Sequence, residues 1–125
     1  MCLYSWQKRK KATKDIECYK IVVMKNGVIH SKYHDKEWEM NKLYEAEKAS
    51  PFKIKSDGDV TSGYFHSYDS FEEVKRWAFC DKNEVVCRCI IPAGTYYYYG
   101  IHSDGHEGYA SKKLKITEII SEYHG

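Results

Sequence analysis

Apolar positions divide this chain into several alternating stretches and one segment with helical spacing. Residues 16–24, IECYKIVVM, send Ile16, Cys18, Lys20 and Val22 to one side of an extended chain and Glu17, Tyr19, Ile21 and Val23 to the other. Both sides are partly apolar, which predicts a well-buried strand. Asn26-Gly27 follows, the strongest short hairpin signal, and Val28, Ile29 and Tyr33 supply a return strand. Residues 34–48 set helix formers such as Leu43, Ala46 and Glu47 against the strand-like alternation of Trp38 and Met40. The helical stripe is poor, so the segment reads as extended with a turn at Asn41-Lys42. Pro51 and residues 56–59, SDGD, mark a polar loop.

Residues 63–68, GYFHSY, read as a short strand, and the clearest helix follows. Ser70 and Glu73 have capping-box spacing, and Phe71, Val74, Trp77 and Ala78 form one apolar stripe that ends near Cys80. Residues 84–91, EVVCRCII, are continuous and β-branched, as a central strand is. Residues 92–94 make a tight turn, 95–99 the next strand, and 100–108 a loop rich in Gly and Asp. Leu114, Ile116, Ile119 and Ile120 complete a last strand. The fold expected is α+β: a mostly antiparallel sheet packed on one principal helix at about residues 70–80.

A chain of 125 residues fits one domain. Charge divides it. Residues 1–14 carry Lys8, Arg9, Lys10, Lys11 and Lys14 and no acid, whereas the remainder has fifteen basic and eighteen acidic residues, a net −3. The expected organisation is a basic flexible N-terminal arm, 1–14, before a single α+β domain, 15–125. A nucleic-acid binder spreads basic residues over a face, so nucleic acid is a poor fit. Five cysteines, an odd number without scaffold spacing, argue for free thiols and a cytoplasmic protein. No apolar run approaches the roughly 20 residues of a membrane span.

Residues 15–20 (DIECYK), 63–67 (GYFHS) with the helix after them, 90–97 (IIPAGTYY) and 109–116 (YASKKLKI) together resemble an uncharacterised family of small proteins from gut Bacteroides-type bacteria and their phages. The resemblance spans roughly residues 15–120 and implies no activity, cofactor or site residue. The family's usual glycine before the Lys-Leu-Tyr step is Asn41 here. That swap predicts a left-handed turn, because Asn tolerates positive φ, and it supports the extended reading of residues 36–44.

Four kinds of chemistry are open to these residues. Zinc would draw on His102, His106, Cys87 and Cys89, but a glycine-rich loop does not align the histidines, and the cysteines share the strand face a core would claim. A cysteine nucleophile has no helix N-terminus to lower its pKa; Cys80 stands at a helix C-terminus, where the dipole opposes a thiolate. ADP-ribosyl transfer would use Tyr19-Lys20, His66-Ser67 and Glu107 in that order, without the usual Arg or His and Ser-Thr-Ser. Walker, Rossmann and Gly-x-Ser-x-Gly patterns are missing.

The fourth is aromatic recognition. Twelve tyrosines stand against four phenylalanines, four of them consecutive at Tyr96, Tyr97, Tyr98 and Tyr99. On a strand they face opposite sides in pairs, and since each buried hydroxyl needs a partner, one pair should line a pocket, a wet surface or a subunit interface. The expectation is therefore a non-catalytic, phage-encoded binding protein that sequesters a small anionic nucleotide-like signal of host defence. Its ligand-binding residues would be Tyr19, Tyr64, His66, Tyr68, Arg88, Tyr97, Tyr99, Lys112 and Lys113, with the site completed by a second copy in a homo-oligomer. No catalytic residue, metal or cofactor is expected. The alternatives are a protein-interaction module that inhibits a host protein through the arm with Tyr4 and Trp6, and a divergent ADP-ribosyltransferase-like domain.

Overall fold

The computed structural model describes residues 3–4, 8–31, 36–46, 59–60, 64–77, 83–102 and 104–120. The helix end at Ala78 and Cys80, and Cys2, Trp6, Tyr33 and Gly63, lie outside them, as does the loop read at 51–59 except for Asp59, which begins a short strand, Asp59–Val60. The described strands are β1 (Leu3–Tyr4), β2 (Lys10–Lys11), β3 (Ile16–Lys25), β4 (Val28–Ser31), β5 (Glu37–Trp38), β6 (Leu43–Glu45), β7 (Asp59–Val60), β8 (Phe65–Tyr68), β9 (Glu84–Ile91), β10 (Tyr96–His102), β11 (Glu107–Ser111) and β12 (Lys113–Ile120). The one described helix, α1, is Phe71–Trp77.

All described pairings are antiparallel, in the order β6-β12-β9-β3-β8-β11-β10-β1-β7, with β4 and β5 beyond one half of β3 and β2 beside β10. β3 and β9 form the spine, in register from Ile16 opposite Ile91 to Val23 opposite Glu84. The hairpin from β3 to β4 turns at Asn26 and Gly27, whose φ values of 54° and 77° are the left-handed pair such a turn needs. Asn41 stands at φ 61° between β5 and β6, so residues 36–45 are extended about a left-handed turn.

This architecture corrects the α+β expectation: the chain is a mostly antiparallel β protein, with one short helix among the described residues. The cap forms as its residues require, with the Glu73 N–H donating to Ser70 Oγ at 3.3 Å, and the described helix spans seven residues. It sets Val74, fully buried, against Ile21, Tyr68 and Val86, and covers one spot on the sheet without forming a layer. The loop read at 100–108 is also mostly strand. β10 continues through Gly100 to His102, the chain turns with Gly105 N–H donating to the His102 carbonyl at 2.8 Å, and β11 begins at Glu107. Gly100 and Gly108 pair across these strands. A Cβ on Gly108 would run into the Ser67 carbonyl oxygen and lie 2.5 Å from His102 Nε2. Glycine here marks a close approach inside a sheet.

β11 and β12 are consecutive in sequence, yet lie at opposite ends of the run β12-β9-β3-β8-β11. This part of the sheet therefore curls until its ends meet at Lys112. The enclosed core contains Cys18, Val22, Ile29, Trp38, Cys87, Cys89, Ile91, Leu114 and Ile116. Each fully buried aliphatic side chain contributes roughly 1.5–3 kcal/mol. A smaller cluster of Leu3, Tyr64, Tyr98 and Ala110 lies under β1 and β10. No helix among the described residues is long and apolar enough to cross a membrane.

Candidate functional site

Strand alternation carries Lys20 to the same side as Cys18 and Val22. Its ammonium donates to the His66 carbonyl at 2.9 Å, and burial lowers its pKa from 10.5 while the nearby thiols of Cys89, Cys18 and Cys87 work against that shift. Cys18 lies opposite Cys89, and Lys20 opposite Cys87. Burial pushes the Cys87 thiol up to about 12 and raises Cys89 as well, so both are thiols at neutral pH. Glu107, at the exposed start of β11, faces Tyr99. Among the described residues no group of three or more His, Cys, Asp or Glu is placed to hold a metal ion.

The nine residues expected to bind a ligand are not gathered into one site. Tyr19, Tyr68 and Arg88 are cross-strand neighbours. Tyr19 packs on Phe71 and hydrogen-bonds with Arg88, which raises the guanidinium pKa. Arg88 already holds two carboxylates, Glu17 Oε1 at 2.6 Å from Nε and Glu118 Oε2 at 2.5 Å from NH1. Its charge is thereby neutralised. Tyr64 stands edge-on to Tyr98 at 5.7 Å. The His66 ring lies 5.6 Å from that of His102. Lys112 caps the Ala46 carbonyl with its ammonium, and Lys113 lies opposite Glu45.

Tyr97 and Tyr99 are on the face opposite Tyr98, both edge-on to Tyr109. The Tyr99 hydroxyl lies 2.5 Å from Asp69 Oδ2 and 2.8 Å from Glu107 Oε2. Burial, then these two carboxylates, raise its pKa far above 10.0. Tyr68 donates to Asp104 Oδ2 at 2.6 Å, and His106 Nδ1 lies 3.5 Å from Glu73. This end of β10 is acidic. His102, buried beside it, donates its Nε2–H to the Ser67 carbonyl at 2.7 Å, and burial lowers its pKa from 6.5.

The other end of β10 is basic. Lys10 pairs with Tyr97 and Lys11 with Tyr96, so this part of the charged segment is an edge strand. The Arg9 guanidinium lies 4.2 Å over the Tyr96 ring and the Lys11 ammonium 5.8 Å from it. Arg9 also bears on the buried Tyr64, opposing the rise that burial gives its pKa. Tyr96 is 42% exposed, and its carbonyl accepts the Lys112 N–H at 3.0 Å. An exposed ring, a stacked guanidinium and one flanking ammonium group make a surface for a planar anion. Sequence reasoning set Arg9, Lys11 and Tyr96 apart from the site. The one available signal was their shared lack of acidic neighbours.

No family model, curated protein or solved structure matches this chain.

Proposed function

We propose that this chain is a non-catalytic binding protein that sequesters a small anionic, nucleotide-like ligand at the basic end of β10. The supporting observation is the Arg9 guanidinium stacked at 4.2 Å over an exposed Tyr96. A base can lie on this aromatic and guanidinium platform, where stacking contributes about 1–3 kcal/mol per base. Phosphates then meet Arg9 and Lys11, which share the face of Tyr96. Arg88 is a poorer phosphate partner, because an incoming anion would have to displace Glu17 and Glu118.

Thermal-shift measurements against mono-, di- and cyclic nucleotides and ADP-ribose test this reading. A ligand at one hundred times its dissociation constant adds about 2.7 kcal/mol of stability. The melting point should rise with at least one of them, and by only about a third as much in Arg9→Ala/Tyr96→Ala. If no ligand moves it, the reading fails. An oligonucleotide that binds with a steep salt dependence, while mononucleotides do not bind, replaces it with nucleic-acid binding.

A further inference from the structure

A separate constellation lies beyond β4. Trp38 is 3% exposed, and two half-buried rings stand edge-on to it: Tyr44 at 4.8 Å and 65°, and Phe65 at 5.1 Å and 63°. Two hydrogen bonds fix this arrangement. Trp38 Nε1–H donates to Ser31 Oγ at 2.8 Å, and the Tyr44 hydroxyl accepts the Glu39 N–H at 2.9 Å. The rings come from β5, β6 and β8, so the box exists only in the folded sheet.

The box already holds a cation. The Lys36 ammonium lies 4.3 Å from the Tyr44 centroid, 5.2 Å from Trp38 and 5.8 Å from Phe65. No aspartate or glutamate among the described residues is paired with it, whereas the exposed Lys42 pairs with Glu39 at 3.1 Å. Three ring faces around one ammonium form a cation–π cage. A primary ammonium is a poor occupant of such a cage, because it is compact and strongly hydrated. Methylation spreads the charge, lowers the hydration cost and adds apolar surface against the rings. Prior ordering of the rings favours any ligand of that shape.

We propose that Trp38, Tyr44 and Phe65 form a binding site for a methylated ammonium group, and that Lys36 is its built-in plug. The ligand is either a free quaternary amine or a trimethylated lysine side chain, and displacing Lys36 opens the site. This proposal does not depend on the anion site at β10, which is built from other residues.

The test is titration of the full chain, followed in its two-dimensional amide spectrum. Choline, its uncharged isostere 3,3-dimethyl-1-butanol, and a short peptide with and without trimethyllysine are added to wild type, Lys36→Ala and Lys36→Ala/Tyr44→Leu. Removing the plug should tighten choline binding by about tenfold or more, with shifts centred on Trp38, Tyr44 and Phe65. The uncharged isostere should not saturate, and Tyr44→Leu should reverse the gain. Lys36→Met, which keeps the stem without the charge, serves as the second variant if Lys36→Ala does not give a native spectrum. A trimethylated peptide that binds tighter than choline identifies the source as a modified protein; equal binding identifies a free amine. Failure of both plug variants to bind choline at tens of millimolar, or equal binding of the uncharged isostere, overturns the proposal and leaves Lys36 as an internal clip.

Discussion

The two ends of β10 carry the same residue in opposite surroundings. At its start, Tyr96 and Tyr97 lie against Arg9, Lys10 and Lys11. From its midpoint onward, Tyr99 is held by Asp69 and Glu107, and Tyr68 beside it by Asp104. The rings offer the same flat amphipathic surface. A phosphate placed about 4 Å from one of these charges gains or loses roughly 1–4 kcal/mol, depending on how far water is excluded. Tyrosine density therefore marks where recognition can occur, and the facing charges decide what is recognised.

The largest expected effect tests the acidic end as built structure. Gly108→Ala forces a methyl group into the Ser67 backbone and the His102 ring. It should lower stability by about 3 kcal/mol, as measured by urea denaturation. A fall below about 1 kcal/mol would show that the two strands have room to part. The basic end should respond in binding instead. Arg9→Ala/Tyr96→Ala should weaken nucleotide binding by about 2 kcal/mol, roughly thirtyfold, with stability within about 0.5 kcal/mol of wild type.

Next in size is a pH effect. The folded-state pKa of His102 lies below 6.5 because burial disfavours its charged form. As pH falls below about 6.5 the unfolded chain takes up this proton first, so the contribution is complete above that value and is lost as pH drops towards the folded-state pKa. The slope is at most about 1.4 kcal/mol per pH unit for one proton. His102→Gln should flatten that part of the stability profile. An unchanged profile would assign the effect elsewhere. The smallest effect belongs to Arg88. Its ion pairs are exposed, so Arg88→Ala should change stability by less than about 1 kcal/mol and leave nucleotide binding unaltered. A thirtyfold loss of binding there would move the anion site to β9.

Much of the sheet was legible locally. The alternation over residues 16–24 and the β-branched run at 84–91 are β3 and β9, because each pattern answers to burial on both faces. The turns at Asn26-Gly27 and Asn41 followed from which residues tolerate positive φ. Three features were not legible. Gly100 and Gly108 read as loop, but they pair within the sheet, and glycine is required at Gly108 by a neighbouring strand that only the register reveals. Lys10 and Lys11 read as a solvated arm, because charged residues on an edge strand carry no period-two signal. Arg88 read as a free phosphate partner because Glu17 and Glu118 are 71 and 30 residues away in sequence and meet it only across β3 and β12. The apolar stripe after Ser70 is helical over Phe71–Trp77. It specified contact at Val74, but not how little of the sheet the helix covers, and the fold class turned on that.

The most direct test of the contrast along β10 is amide chemical-shift mapping of the full chain with the nucleotide that gives the largest thermal shift. The predicted result is a set of saturating shifts confined to residues 8–12, 95–97 and 111–113, with Tyr99, Asp69, Asp104 and Glu107 unmoved. Saturating shifts centred on the acidic end, or on Arg88 and its two carboxylates, would contradict it.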